Sequence, residues 1–235
     1  MPPSADDMQQ VRNAMLATPL LQGVPKGAVG RLATSGRVRQ YRKGTYLCHQ
    51  GDPSDDIFFL VEGRVEISSI SVTGSRVLHA TVDVPQFVGE LGVLAEIDRT
   101  ASVLTLEDSN VWIASDDDFL DFLSSEPSAS RSLLRVLAQQ VHSHEAFVDD
   151  LLFLDLKGRV AKRLLQMATP TLDDLPEDGQ VIPGVTHADL ASLCGGSREN
   201  VTRVLSEFQR RGLVERDGRR YVLKKVDGLA KIAGL

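Results

Sequence analysis

The chain has 235 residues, which is enough for one or two globular domains and too few for a large multidomain enzyme. Hydrophobic residues make up 42% of the chain and charged residues 25%, so neither a disordered protein nor a disulfide scaffold is expected. The formal net charge of −6 argues against nucleic-acid binding when it is averaged over the whole chain, because phosphate affinity comes from clustered lysine and arginine.

The cysteines and the start of the chain predict a cytoplasmic protein. Cys48 and Cys194 lie far apart and in no metal-ligand pattern, so reduced thiols are expected. No apolar stretch approaches the roughly 20 residues that cross a bilayer, and the first ten residues are acidic where a signal peptide would be basic. No membrane partner is therefore expected.

Short β-rich segments follow one another from Tyr41 to Ser115, after a helical pattern over residues 8–34. Valine, isoleucine, phenylalanine and threonine recur in them at a period near two, and glycines separate the segments. Strands with this short and regular spacing predict a closed barrel or a two-sheet roll. The separating glycines are Gly51, Gly63, Gly74, Gly89 and Gly92.

A long helix is expected after Pro127. Its apolar positions are spaced alternately by three and four residues, which is the heptad pattern of a two-stranded coiled coil between subunits. His144 is the polar member, and it either fixes the register of the dimer or contacts a ligand. The predicted dimer seam consists of Leu134, Leu137, Val141, His144, Val148 and Leu151.

The charge is divided unevenly along the chain. Residues 186–235 contain ten lysines and arginines against six acidic residues, a net charge of +4. That leaves 16 basic and 26 acidic residues, a net charge of −10, for residues 1–185. Such an asymmetry indicates a basic module attached to an acidic body.

The basic segment has the pattern of two helices joined by a tight turn. Thr186 followed by Asp189 is an N-capping signature, two glycines end the first helix, and Ser197 is placed to cap the second. The second helix has one apolar face and carries arginine and glutamate near its N-terminus, which is typical of a helix-turn-helix. Its expected buried positions are Val201, Val204, Leu205 and Phe208.

A β-hairpin is expected directly after these helices. Its turn is Asp217-Gly218, one of the strongest short-range hairpin signals. A basic hairpin behind a recognition helix is a wing, and its arginines at 216, 219 and 220 are placed to contact phosphates.

Four features in this order resemble the Crp-Fnr family of transcription regulators. They are the glycine spacing, FVGELG followed by RTAS, FLDLKGRVAKRLL after the long helix, and GSRENVTRVL, and they extend over about residues 40–225. The resemblance implies an α+β chain with three parts. These are N-terminal helices with a jelly-roll-like, cyclic-nucleotide-binding β-roll (1–126), a dimerisation helix (127–155) and a winged helix-turn-helix (156–235).

The residues of FVGELG and the following Arg99-Thr100 suit an anion site. Glycine lets backbone amides approach an oxygen closely, and Arg99 can form two parallel hydrogen bonds to a phosphate. A carboxylate at Glu90 would repel phosphate, so it must accept from a neutral group, and the resemblance implies the ribose 2′-hydroxyl. Alternatively, Glu90 and Arg99 pair with each other. The predicted nucleotide-binding residues are Gly89, Glu90, Leu91, Arg99, Thr100, His144 and Glu145.

The identity of the nucleotide stays open. The resemblance places His144 and Glu145 where the family's cyclic-AMP binders carry consecutive small hydroxyl residues, which weakens the assignment of cyclic AMP. Thr100 resembles the threonine of eukaryotic cyclic-GMP sites. Cyclic AMP is therefore the first choice, cyclic GMP the second, and loss of ligand dependence the third.

No metal, haem or iron–sulfur cluster is expected. The iron–sulfur branch of the family needs N-terminal cysteines, and none precedes Cys48. The haem branch has its histidine where this chain keeps FVGELG, and we expect His79 to be a half-buried strand residue. His142 does not share a helix face with His144 and Glu145, which disfavours a metal site there.

The match to GSRENVTRVL makes Arg198, Glu199 and Arg203 the base-reading residues. Arginine reads guanine O6 and N7, and glutamate can accept from cytosine N4. Thr186 and Ser197 cap helices or contact phosphate, and a twofold dimer would read near-palindromic double-stranded DNA. The predicted DNA-binding residues are Thr186, Ser197, Arg198, Glu199, Thr202, Arg203, Arg216 and Arg219.

Together these patterns predict a homodimeric, cyclic-nucleotide-controlled transcription regulator that works with RNA polymerase. The rival is a ligand-independent DNA-binding regulator whose roll serves only for dimerisation. An enzyme is not expected, because the sequence has no nucleophile elbow, Walker loop or zinc-protease helix.

Overall fold

The computed structural model describes residues 5–72, 74, 76–169, 172, 174–182, 184–218 and 220–235. The chain divides into two compact units, Met1–Val141 and His142–Leu235. Its helices are α1 (Ala5–Leu16), α2 (Lys26–Ser35), α3 (Glu90–Ala95), α4 (Asp116–Ser125), α5 (Pro127–Phe153), α6 (Leu156–Ala168), α7 (His187–Leu193), α8 (Arg198–Arg210) and α9 (Val226–Ala233), with a 3₁₀ turn at Pro19–Leu21. Its strands are β1 (Arg37–Tyr41), β2 (Tyr46–Cys48), β3 (Asp56–Glu62), β4 (Arg64–Ile70), β5 (Arg76–Asp83), β6 (Gln86–Val88), β7 (Ser102–Thr105), β8 (Ser109–Ser115), β9 (Val181–Ile182), β10 (Val214–Asp217) and β11 (Arg220–Leu223).

Two antiparallel four-stranded sheets form the β-roll of the first unit. One has the strand order β1-β8-β3-β6 and the other β2-β7-β4-β5. Alternate residues of β3 point to opposite faces. Phe59 lies in the core between the first sheet and the helices, whereas Phe58 and Leu60 lie in a second core with residues of both sheets. The predicted α+β class with a β-roll is confirmed.

Trp112, at the centre of the first sheet, connects helix α2 to the roll. Trp112 is fully buried and pairs with Phe59 in the register of β8 and β3. Its indole N–H donates to the carbonyl oxygen of Ala33 in α2 at 2.9 Å. A buried indole N–H needs such an acceptor, so this bond fixes where α2 lies on the sheet.

The structure adds a strand that the sequence pattern did not indicate. β1 begins at Arg37, ahead of the predicted strand region, and it pairs with β8 along its whole length. Its residues RVRQY are largely exposed or half-buried and show no clear alternation of apolar side chains. Backbone pairing to β8, rather than side-chain burial, therefore defines this edge strand.

The long helix α5 begins at Pro127, as predicted, and the division between the two units falls within it after Val141. In the first unit Leu133 is buried and Leu137 packs against the same core. His144 is exposed. The apolar residues of the predicted seam that are exposed are Leu134, Val141, Val148 and Leu151.

The second unit contains the predicted helix-turn-helix and hairpin. α7 and α8 carry the two capping residues, and β10 and β11 pair as an antiparallel hairpin that β9 extends to a three-stranded sheet. α9 is a helix that the sequence pattern did not predict, and it packs mainly on α6. The predicted apolar face of α8 is confirmed, since Val201, Val204, Leu205 and Phe208 are all buried.

None of the helices in the described part of the chain has both the length and the apolar character needed to span a bilayer.

We expect Gly63→Ala to destabilise the first unit more than Gly44→Ala does. Both glycines have left-handed backbones, with φ of 98° at Gly63 and 80° at Gly44. An alanine in this conformation costs about 1–2 kcal/mol in either place. At Gly63 the added Cβ would also lie 2.7 Å from the Cβ of Ser109, whereas at Gly44 it meets nothing within 4 Å.

Chemical denaturation followed by the fluorescence of Trp112, the only tryptophan, measures both variants. The loss in the free energy of unfolding should be larger for Gly63→Ala by about 1–3 kcal/mol, the usual cost of overpacking. Equal losses would show that the contact with Ser109 does not matter.

Candidate functional sites

The chain reaches the candidate nucleotide site at the end of β6. Gly89 follows this strand with φ of 94°, a left-handed conformation that glycine adopts readily. A side chain at this position would also collide with the guanidinium of Arg99. Position 89 therefore requires glycine for its backbone angle and for the close approach of Arg99.

The side chain of Arg99 is turned into the protein and is only 3% exposed. Its Nη1 donates to the carbonyl oxygen of Gly89 at 3.0 Å, and its guanidinium carbon lies 5.0 Å from the ring centre of Phe58. Its Nη2 donates to Asp56 twice, to the carbonyl oxygen at 2.6 Å and to the carboxylate Oδ1 at 2.5 Å. The Nε–H is buried and has no hydrogen-bond partner among the described residues. A buried donor without a partner is costly, so this nitrogen is placed to bind an added acceptor.

Glu90 follows Gly89 directly and lies close to Arg99. Among the described residues, the ion-pair partner of Arg99 is Asp56 and not Glu90. The alternative pairing of Glu90 with Arg99 is therefore not formed. Burial raises the pKa of the Glu90 carboxyl, and hydrogen bonds from the backbone of Glu90 and Gly89 oppose that shift. The side chain of Gln140 in α5 also acts on this carboxyl and lowers its pKa.

Sequence reasoning missed two members of this site. Asp56 is one of two adjacent aspartates, and Gln140 is an ordinary residue of a helix face, so nothing in the local pattern marks either. Gln140 lies one turn before His144, on the same side of α5.

The other predicted nucleotide-binding residues are exposed. Leu91 is on the first turn of α3, and Thr100 follows Arg99 directly. His144 and Glu145 are exposed on the part of α5 that belongs to the second unit. The structure thus groups Gly89, Glu90 and Arg99 with Asp56 and Gln140.

The candidate DNA-binding surface is built on two capped helices. The Thr186 hydroxyl accepts from the backbone N–H of Asp189 at 3.1 Å, and the Ser197 hydroxyl accepts from that of Asn200 at 3.2 Å. Both predicted caps are confirmed. With the apolar face of α8 buried, the side chains on its opposite face point to solvent.

These outward side chains include all three predicted base-reading residues. Arg198, Glu199 and Arg203 are exposed, and Arg203 Nη2 donates to Asn200 Oδ1 at 2.7 Å. Arg216 of the wing is also exposed, with its Nε donating to the carbonyl oxygen of Gly218 at 3.0 Å. Arg219, which was predicted to contact phosphate, lies outside the described residues.

His187, a residue that sequence reasoning did not single out, connects the recognition helix to the wing. Its Nδ1 lies 2.9 Å from the hydroxyl of Thr202, and its Nε2 lies 3.0 Å from the hydroxyl of Tyr221. The Thr202 hydroxyl donates to the carbonyl oxygen of Arg198 at 2.7 Å, so His187 Nδ1 must be the donor to Thr202. Nε2 accepts from the Tyr221 hydroxyl when the imidazole is neutral and donates to it when the imidazole is protonated.

The cysteines and the remaining histidines form no evident site. Cys48 and Cys194 are free and buried, and burial raises the pKa of the Cys194 thiol to about 11. His79 is exposed and hydrogen-bonds to Ser69 at 2.7 Å, so the expectation that it is half-buried is wrong. It lies on the solvent face of β5, where the alternation of the strand directs it. Across the described ranges, no three potential metal ligands come together.

Comparison with known families identifies both units. Residues 38–126 match the family described as "Cyclic nucleotide-binding domain", and residues 158–232 match the "Crp-like helix-turn-helix domain". The first match contains Gly89, Glu90 and Arg99, and the second contains α7, α8 and the wing.

Relatives match the chain over most of its length. The chain is 28% identical over 214 residues to a Mycobacterium tuberculosis protein named "CRP-like cAMP-activated global transcriptional regulator", covering 91% of this chain and 96% of that protein. It is 27% identical to the "Cyclic AMP receptor protein" of Thermus thermophilus, covering 85% of this chain and 89% of that one. The solved structure of the c-di-GMP responsive regulator CLP from Xanthomonas campestris has a similar fold, with a TM-score of 0.69, 24% identity, and coverage of 85% and 99%.

A β-roll with a cyclic-nucleotide-binding domain and a Crp-like helix-turn-helix define a DNA-binding transcription regulator. The chain belongs to the Crp-Fnr family.

We expect the imidazole of His187 to titrate below its ordinary pKa of 6.5, because burial and then the charges of Arg216 and Arg198 lower it. Arg216→Gln removes one of these cations and should raise the pKa of His187. Arg220→Gln removes a cation from the neighbouring strand and is the matched control, because Arg220 is not among the groups that shift His187.

NMR titration of the histidine ring signals measures these values, and His187→Gln identifies the signal. A midpoint at or above 6.5 in the wild type, or one that Arg216→Gln leaves unchanged, would contradict the assigned environment.

Proposed function

We propose that the chain is a homodimeric transcription regulator whose affinity for DNA is set by a cyclic nucleotide bound in the β-roll. The buried Nε–H of Arg99, which lacks a partner among the described residues, supports the proposal most strongly. An anionic oxygen beside Gly89 would satisfy this donor through a charge-assisted hydrogen bond. The cyclic phosphate is such an anion.

The neighbouring residues suit the rest of a nucleotide. Glu90 is mostly withdrawn from solvent and can accept a hydrogen bond from a ribose hydroxyl, which would compensate its desolvation. In this proposal Gln140 of α5 orients the carboxyl, and the exposed residue Thr100 contributes its hydroxyl to the ligand. In this proposal Leu91, His144 and Glu145 complete the site.

Cyclic AMP is our first choice for the nucleotide and cyclic GMP the second. The names of the Mycobacterium tuberculosis and Thermus thermophilus relatives both specify cyclic AMP. Thr100 favours cyclic GMP, and the Xanthomonas campestris regulator, which is similar in fold, responds to c-di-GMP. All three nucleotides therefore belong in the experiment.

Dimerisation is proposed to use α5. The helix exposes four of its heptad-spaced apolar side chains, and pairing with a second copy would remove them from water. His144 would lie in this seam, where a polar residue can fix register. Two copies would place two recognition helices about one DNA turn, roughly 34 Å, apart on a near-palindrome.

On each copy Arg198, Glu199 and Arg203 would read bases. Thr186, Ser197 and Thr202, together with the wing arginines at 216 and 219, would position the helix on the backbone. RNA polymerase is the further partner we propose, because the family regulates transcription. The cytoplasm is the proposed location, because a regulator of this kind acts on the DNA there.

Fluorescence anisotropy tests the proposal. The DNA is a duplex obtained by selecting random sequences for binding to the wild-type protein. The selection is carried out once with nucleotide and once without it. Titrations contain no nucleotide, cyclic AMP, cyclic GMP or c-di-GMP. One of the cyclic mononucleotides should tighten DNA binding by the wild type, and Arg99→Ala should lose this response while keeping the affinity measured without nucleotide. Equal affinity under all four conditions would instead support the ligand-independent regulator.

We expect Arg198→Ala to lower the affinity for the selected duplex by about 1–3 kcal/mol, because the variant loses its contact with one guanine. The loss should appear only with duplexes that carry this guanine. Changing that base pair should cost the variant little, since the reading group is already gone. Arg216→Ala is the comparison, because losing a phosphate contact weakens binding to all sequences and reduces its salt dependence. An unchanged sequence preference in Arg198→Ala would remove this arginine from the base-reading set.

A further inference from the structure

Asp56, at the start of β3, accepts hydrogen bonds from the edge of the Arg99 guanidinium that a phosphate would need. We propose that Asp56 is an internal competitor for the nucleotide phosphate, which must displace its carboxylate from Arg99 in order to bind in full. The inference rests on the proposed nucleotide site and adds to it a residue that sets the ligand affinity.

The geometry of the guanidinium gives the reason. A phosphate binds an arginine most strongly through two parallel N–H···O bonds. A guanidinium offers two such pairs, Nε with Nη2 and Nη1 with Nη2, and both include Nη2. In this protein Nη2 donates to the Asp56 carboxylate and to the Asp56 carbonyl oxygen, while Nη1 donates to Gly89. An incoming phosphate can therefore use the unpartnered Nε–H at once but gains the second bond only at the expense of Asp56.

Asp56, rather than Arg99, is the partner able to move. The Arg99 side chain is almost fully enclosed, whereas the Asp56 side chain is 38% exposed and has solvent beside it. Burial raises the pKa of the Asp56 carboxyl even though Arg99 and Arg37 oppose that shift. Its carboxylate is thus incompletely solvated where it lies, which reduces the cost of its release to water.

Electrostatic repulsion between the Asp56 carboxylate and the phosphate also favours the release of Asp56. A phosphate at Arg99 would bring a second negative charge close to the Asp56 carboxylate around a single buried cation. Like charges in a partly buried site repel each other because little water screens them. Removing the charge of Asp56 should therefore strengthen nucleotide binding, although it removes the ion-pair partner of the residue that binds the phosphate.

Isothermal titration calorimetry of the full chain with cyclic AMP and with cyclic GMP tests this. Asp56→Asn keeps the shape and a neutral acceptor but removes the charge. Asp55→Asn makes the same change in the exposed neighbour, whose carbonyl oxygen accepts from the backbone of Asp116. We expect Asp56→Asn to lower the Kd about tenfold, the difference between a charged and a neutral hydrogen bond, and Asp55→Asn to change it less than about twofold. Asp56→Ala, which also removes the side-chain acceptor, should bind at least as tightly as the wild type, and thermal melting confirms that each variant is folded.

The outcomes separate this inference from the proposed function. If the wild type binds a nucleotide and both Asp56 variants bind it equally or more weakly, Asp56 does not compete and the inference fails while the proposed site stands. If neither the wild type nor the Asp56 variants bind either nucleotide, both the inference and the proposed function are overturned.

Discussion

The first unit depends on how it encloses the guanidinium of Arg99. A buried cation is costly unless hydrogen bonds and negative charge surround it, and here Gly89 and Asp56 supply them. The pairing of β3 with β6, in which Phe58 lies opposite Val88, brings these two residues together. The roll is thus the framework that creates a nearly enclosed arginine with one donor unpartnered. From this follow the need for glycine at position 89, the proposed anion site and the competition that we assign to Asp56.

The second unit differs from the first, because the arginines of its candidate DNA-binding surface are exposed to solvent. The apolar face of α8 is buried, so Arg198 and Arg203 are held at the surface. His187 joins Thr202 to Tyr221 and so connects the recognition helix with the wing. The net charge of −6 concealed this arrangement, because it averages an acidic body of −10 with a basic segment of +4.

Features that depend on local spacing could be predicted from the sequence. The strand-rich region, the caps at Thr186 and Ser197 and the buried face of α8 all follow from short-range rules, and all are confirmed. Features that depend on distant partners could not be predicted. The edge strand β1 exists because β8 offers it a backbone to pair with. Asp56 and Gln140 acquire a role only where the fold brings them to Arg99 and Glu90, and no pattern along the chain marks that meeting.

The proposed function requires the Nε–H of Arg99 to receive the phosphate of a cyclic nucleotide. Nitrogen-15 NMR of the arginine side chains tests it most directly, with Arg99→Lys identifying the Nε–H signal of Arg99. On titration with cyclic AMP, and separately with cyclic GMP, this signal should shift and saturate with one of them, because a new charge-assisted hydrogen bond changes the environment of that proton. An Nε–H signal of Arg99 that stays in place at saturating concentrations of both nucleotides would contradict the account.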